Sequence, residues 1–551
     1  MKVLAVSLLR LGDILMLSPV LKGIKSQHKN VELHVLINSQ FSFVKTLMPW
    51  VDKFILFDRK QMQKGMGEVD RQLFEPLDRL STTIDYLNNE KYTKVFNLTH
   101  TRLSGILCGL INAEEKLGLA FNDNHTASFG SRWYSYLNEQ VGGGSDFTAH
   151  MTDVHYYGAE IPYNSHEFDF VLDKKGEDEA VALIGDLKNI ICVQAFTSDN
   201  KKNWGLDRIA KSLKLFQYMN PKYSIFALGA PNESHKVSEL IKVCDKEGVS
   251  VKPAICSLQG ALGILRVSEL LLTGDTSIKH LACGTDCKII EIAIGSSDYR
   301  KTGVYRKNNF IVTSTAGCAP CMHSQSCIKN SHICGDRIEP EAIGLLMHQV
   351  LNGSNKEIRI LAQEYADSLR IHKTYFNHSG FWYARDLAKG FDTKELEKVL
   401  NLSSWKLLNR GEHLKLIGEY GSESIKLNAT IQQVYPELKS LVKQRFITDL
   451  ESRITQEGES LLNLKLELQK LAKKKIVNSE EIKRNYKLLE SELSPKLASE
   501  LVVFTEKFNG QTQEHFGQIR KYSEAMQSAY DRNQIQLKLV RTMMSQRMEN
   551  L

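Results

Sequence analysis

The chain has 551 residues, of which 42% are apolar and 25% charged, with a net charge of +7. This length exceeds one ordinary domain and the apolar share can fill several cores, so two or three domains are expected. No run of about 18 uninterrupted apolar residues occurs, which excludes an ordinary transmembrane helix, and the start MKVLAVSLLRLGD lacks signal-peptide features. The expectation is a bacterial-type cytoplasmic protein, so the ten cysteines should be reduced and any cluster among them points to metal rather than disulfides.

Buried-strand runs recur over the first 350 residues: VLAVSLL at Val3, VELHVLI at Val31, KVFNL at Lys94, NIICVQAF at Asn189, YSIFALG at Tyr223, SELLLTG at Ser268 and CKIIEIAIG at Cys287. Helical stretches separate them, and this alternation predicts parallel sheets covered by helices on both faces. A gap at 157–177, with Gly158 and Pro162, divides the runs into two sheets. The predicted organisation is one Rossmann-like domain over 1–165, a second over 166–350 and a helical extension over 351–551. The triplet Gly142-Gly143-Gly144 reads as a flexible loop, since no strand feeds it.

Polar loops at the carboxyl ends of strands are where open α/β sheets bind ligands. In LLRLGDILMLSPVLKGIK, Asp13 opens a helix, where it could cap that helix, act as a general base, or do both. In QAFTSDNKKNWG, Lys201 and Lys202 considered alone are solvated, but a lysine beside a pyrophosphate would neutralise the leaving group; Trp204 packs the loop down. The loop ALGAPNESH falls where a base and ribose would lie. In ELLLTGDTSIKHLA an apolar strand empties into Asp275 and Thr276, and the helix that follows, with Ser277 and His280, presents unpaired N–H groups suited to a phosphate. His280 alone reads equally as a structural residue.

The stretch LRLGDILMLSPVLKGIK, the Lys202-Asn203-Trp204 triplet and GDTSIKHLA together resemble glycosyltransferase family 9, the ADP-heptose:lipopolysaccharide heptosyltransferases, across roughly residues 1–350. The resemblance implies a GT-B fold, with an N-terminal acceptor domain and a second domain for the nucleotide sugar. It makes Asp13 the catalytic base, and Lys202, Asp275, Thr276, Ser277 and His280 donor-binding residues. Two departures stand out: Ser277 replaces the glycine usual after Asp-Thr, and Gly205 replaces the proline usual after the tryptophan. The implied reaction is inverting sugar transfer without a catalytic metal, and no Asp-x-Asp in a metal-site context, Walker phosphate loop or G-x-G-x-x-G fingerprint occurs.

Cys318, Cys321, Cys327 and Cys334 fall within 17 residues, where an even spread of ten cysteines would place fewer than one. Cys-x2-Cys followed by two more thiols suits a structural zinc or iron site, with His323 and His332 as bystanders. A similar segment occurs in an iron-holding bacterial branch that heptosylates autotransporter proteins and in some lipopolysaccharide heptosyltransferase-like members, so it does not choose between protein and glycolipid acceptors.

The last 201 residues carry 32 Lys+Arg against 26 Asp+Glu, nearly all of the net charge. Leu, Lys, Glu and Gln dominate, with Pro436 and Pro495 as breakers, and Leu461, Leu464, Leu468 and Leu471 at helical spacing predict a bundle or coiled coil. Phe381-Trp382-Tyr383, Phe391 and Trp405 read as bundle core or as a contact patch. The sequence therefore predicts a glycosyltransferase moving a sugar, with heptose from ADP-heptose expected, onto a lipopolysaccharide-type glycan or a protein. A homo-oligomer and contact with the inner face of the inner membrane are further options for the extension; nucleic acid is not an expected partner. The competing reading is a GT-B scaffold without transfer activity that acts through its helical tail.

Overall fold

The computed structural model describes residues 1–27, 30–63, 74–131, 133–135, 137, 149–161, 166–322, 326–327, 332–378 and 380–389, with shorter stretches at 402, 429, 448–456, 458–463, 466, 527 and 529–542. One compact unit comprises Met1–Tyr134, Ala149–Phe376 and Trp382–Lys389, and a second comprises Ser135–Thr148, Asn377–Phe381 and Gly390–Leu551.

The first unit contains two sheets. The first is built from β1 (Lys2–Ser7), β2 (Glu32–Asn38), β3 (Lys53–Phe57), β4 (Tyr92–Asn97) and β5 (Ala113–Leu117), all parallel, in the order β3-β2-β1-β4-β5. A two-stranded ribbon, β6 (Ala120–Phe121) with β7 (Ala127–Ser128), follows. The second sheet starts with β8 (Ile190–Gln194) and continues through β9 (Ser224–Gly229), β10 (Val251–Ile255), β11 (Ser268–Thr273), β12 (Lys288–Ala293) and β13 (Phe310–Ser314). It runs β10-β9-β8-β11-β12-β13 in parallel and ends in two antiparallel strands, β14 (Leu369–Phe376) and β15 (Trp382–Asp386). Two Rossmann-like sheets in succession are the GT-B architecture.

Every strand read from the sequence is present, and the central ones are buried on both faces: β1 and β8 place Val3 to Val6 and Ile190 to Val193 at or below 1% exposure. The additional strands are mainly edges. β3 alternates, with Leu56 half exposed, and β10 carries Pro253, which an edge strand tolerates because one row of its N–H groups needs no ladder partner.

The strands at 369–386 lie inside the stretch expected to be wholly helical. Burial in β14 falls on both faces, Leu369 and Ile371 on one and His372 and Thr374 on the other, as suits a strand paired on both sides. Trp382 is 5% exposed and its indole N–H donates to the carbonyl of Val304 at 2.8 Å, which puts it in sheet packing rather than a bundle core. Its backbone N–H donates to buried Asp153 at 2.8 Å, and Asp153 also accepts from the hydroxyl of Tyr305. Burial pushes the Asp153 carboxyl up to about 7, opposed by these two donors.

In the second unit, residues 448–456 and 529–542 are helical. Asn533 Nδ2 donates to the carbonyl of Ile454 at 2.8 Å, Arg541 pairs with Glu451 at 2.7 Å, and Leu450, Ile454, Leu461, Ile535 and Leu539 are buried. Gly142-Gly143-Gly144, His323, Phe391, Trp405, Pro436, Leu464, Leu468, Leu471 and Pro495 lie outside the described residues.

Gly205, one of the two departures from the family pattern, caps the helix Leu206–Met219 at φ +107°. A proline ring locks φ near −65°, so this turn excludes the residue the family usually carries. Two outcomes follow for the full chain in denaturant titration. Trp382→Ala loses about 3 kcal/mol, as for a buried aromatic removed from a packed sheet; a loss under about 0.5 kcal/mol would place β15 outside the core. Gly205→Pro loses more than about 1 kcal/mol, and a neutral result would contradict the left-handed turn.

Candidate active site

A cleft of about 1220 Å³ in the first unit is lined by the carboxyl-end loops of both sheets. Asp13, Lys202, Asp275, Thr276, Ser277 and His280 all line it. Chain segments more than 260 residues apart meet there because strands of both sheets empty into it.

From the first sheet, β1 leads into α1 (Leu11–Met16). Asp13 Oδ2 accepts the N–H of Arg10 at 3.0 Å, so the carboxylate does tie down the start of α1 while also facing the cleft. Burial raises its pKa, the Arg10 N–H lowers it, and the negative charge of Asp275 raises it further; the net direction is upward. Gly12 is the contact point with the opposite wall: a Cβ there would meet His280 Cδ2 at 3.3 Å and Ser277 Cα at 3.7 Å.

From the second sheet, β8 empties into a loop that closes in the turn Asn200–Lys202, and β11 empties into Asp275 and α2 (Ser277–Ala282). Lys202 Nζ and Asp275 Oδ2 pair at 2.6 Å, with side chains only 12% and 11% exposed. Neither lysine of the turn is solvated, because Lys201 turns away to the carbonyl of Met322 and to Asp199. Trp204 is buried and donates to the carbonyl of Gly335 at 3.2 Å, packing the loop down. Thr276, ahead of α2, gives no side-chain cap and bonds Thr273 through its hydroxyl at 3.1 Å.

Behind this wall, Lys279 is wholly buried and donates to Asp275 Oδ1 at 2.7 Å, Glu291 Oε1 at 2.7 Å and the carbonyl of Thr302 at 2.8 Å. Burial alone would raise the Asp275 pKa, but Lys279 and Lys202 outweigh it and hold the carboxyl well below the usual range. Burial, reinforced by Lys279, keeps His280 far below its ordinary value and therefore neutral, and its Nδ1 has no hydrogen-bond partner among the described residues. The site combines a carboxylate, a lysine, a neutral imidazole and the start of a helix, a set suited to deprotonating a hydroxyl on one side and neutralising a phosphate on the other.

The sequence reading missed Lys279, Glu291 and the loop after β12, of which Ser296, Asp298, Lys301 and Thr302 line the cleft. That loop obeys the same carboxyl-end rule as the other four. Glu291 inside the apolar run CKIIEIAIG was also a usable signal, since a carboxylate in a buried strand needs a partner. The loop ALGAPNESH does reach the cleft, through Ala230, Pro231 and Glu233.

Cys318 and Cys321 are half-buried, Cys327 is exposed and Cys334 is buried. Burial raises the Cys321 thiol, with Cys334, Cys318 and Cys327 adding to the shift, so the four are electrostatic neighbours. Among the described residues no group of three or more His, Cys, Asp or Glu side chains converges as a metal cage. This segment braces the loops after β8 and β12: His332 Nε2 donates to the carbonyl of Lys201 at 2.8 Å, and the Cys321 N–H to the carbonyl of Gly295 at 2.8 Å.

Residues 83–332 match the model for glycosyltransferase family 9 (heptosyltransferase), a span that includes the Lys202 and Asp275 wall but not Asp13. No curated protein matches the chain. Similar solved structures include a glycosyl transferase family 9 protein from Veillonella parvula DSM 2008, at 16% identity over 56% of this chain and 85% of that one, with a TM-score of 0.46. Another is the E. coli ADP-heptose lps heptosyltransferase II, at 12% identity over 64% and 98%, TM-score 0.46. A third is the iron-containing dodecameric glycosyltransferase TibC from enterotoxigenic E. coli H10407, at 12% identity over 63% and 75%, TM-score 0.36. The match to the glycosyltransferase family 9 model is confined to residues 83–332 of the 551.

Proposed function

We propose that the chain is an inverting glycosyltransferase that moves heptose from ADP-heptose onto a lipopolysaccharide-type glycan or a protein. The observation that carries this reading is the shared cleft, in which Asp13 lines one wall and the Lys202–Asp275 pair the other. The acceptor hydroxyl oxygen attacks the anomeric carbon and Asp13 takes the hydroxyl proton. The bond from that carbon to the diphosphate oxygen breaks, its electron pair stays on the phosphate, and Lys202 with the N–H groups at Thr276 and Ser277 balances the new charge. His280, neutral and with Nδ1 unpartnered, serves the donor as a polar contact that adds no charge. Each step uses side chains or backbone N–H groups of the chain itself.

The four thiols of Cys318, Cys321, Cys327 and Cys334 are soft donors of the kind zinc or iron takes, and we assign such an ion to them in a structural role. Cytoplasmic action fits a nucleotide-sugar donor, and no helix among the described residues is long and apolar enough to cross a membrane.

Three outcomes test these assignments. Asp13→Asn lowers acceptor-dependent release of ADP from ADP-heptose by about 10²–10⁴-fold, while unchanged release would exclude Asp13 as the base. Because the ionised carboxylate is the active form and its pKa is raised, wild-type turnover falls as pH drops through a midpoint above the ordinary 3.8; an acid limb at or below that value contradicts the geometry. Protein purified under reducing conditions carries about one zinc or iron per chain, lost in Cys318→Ser/Cys321→Ser, whereas metal-free wild type overturns that assignment.

A further inference from the structure

We propose that Lys279 is a positioning residue of the donor wall: its enclosed ammonium keeps Asp275 compensated, so that Lys202 can be handed over to a diphosphate. This rests on the reading that the cleft takes a nucleotide sugar.

The two oxygens of Asp275 are divided between two lysines, Oδ2 to Lys202 and Oδ1 to Lys279. Lys202 lines the cleft and Lys279 does not. Were Lys202 the sole counter-charge, a diphosphate would have to compete with a buried carboxylate for it, and winning would leave Asp275 uncompensated at high cost. With Lys279 in place, Asp275 keeps one charge-assisted bond when Lys202 turns to the phosphate. The same ammonium reaches two further parts of the wall. It donates to Glu291 on β12 and to the carbonyl of Thr302, and Glu291 Oε2 accepts the N–H of Val304 at 3.0 Å. One cation thus fixes three wall segments, the loop at Asp275, β12 and the turn at 302–304.

A buried ion pair is a weak source of stability, since a well-packed apolar replacement is often neutral. Its arrangement here, with Asp275 and Thr302 of its three acceptors lining the cleft, suits a role at the ligand side. Lys279→Met alone leaves Glu291 buried without its cation and is expected to destabilise the chain. The decisive variant is therefore Lys279→Met/Glu291→Gln, which removes both charges of the inner pair and leaves Asp275 and Lys202 in place.

The measurement is ADP binding by calorimetry beside thermal melting, on the full chain as wild type, Lys202→Ala, Lys279→Met and the double variant. The expected result is a double variant that recovers most of the melting temperature lost by Lys279→Met yet binds ADP about tenfold or more weakly than wild type, as the loss of one charge-assisted contact implies. A double variant that melts like wild type and binds ADP within about twofold of it would mean that Lys279 is only structural, and overturns the proposal. Wild type that shows no ADP binding overturns the underlying reading of the cleft instead, and wild-type binding abolished by Lys202→Ala confirms that reading independently of Lys279.

Discussion

The close approach at Gly12 is the constraint on which the rest depends. The helices Leu11–Met16 and Ser277–Ala282 come from different sheets, and His280 approaches so near that a Cβ at Gly12 would meet its ring at 3.3 Å. That spacing is tighter than nearly all ordinary Cβ contacts, so a larger side chain would push the walls apart. With glycine there, the next residue brings its carboxylate to face a wall of lysine and backbone N–H groups. The geometry of the cleft follows from the absence of a side chain as much as from the presence of any.

The second wall solves an electrostatic problem. The diphosphate site we propose needs positive charge, yet Lys202 is paired to Asp275 at 2.6 Å. The pair stores the lysine in a fixed position, at the cost of placing a carboxylate where an anion must bind. Lys279 offsets that carboxylate from behind, and Glu291 offsets Lys279 in turn. The line of alternating charges runs from the cleft into the core and ends at a strand. His280 beside it stays neutral because burial and Lys279 both oppose its proton.

The central strands and the four loops of the site were legible in the sequence because both depend on local pattern: apolar runs, then a cap residue, then a helix. Asp13, Lys202, Asp275, Thr276, Ser277 and His280 share one cleft for that reason. Edge strands escaped because half of each faces solvent, and the strands at 369–386 escaped because Arg370, His372 and Lys373 break up the apolar run and burial there follows no simple alternation. Lys279 was invisible for a different reason. A lysine in the helix SIKHLA looks solvated until the packing of β12 shows that it faces Glu291, a relation across 12 residues that no local period encodes. Gly205 could be noted from sequence as a departure but explained only by its φ of +107°.

The most direct measurement is a crystal structure of the full chain with ADP-heptose bound. The account predicts the diphosphate against Lys202 Nζ and the N–H groups at Thr276 and Ser277, with the anomeric carbon turned toward Asp13 across the cleft. A diphosphate held elsewhere, or an anomeric carbon turned away from Asp13, would contradict it.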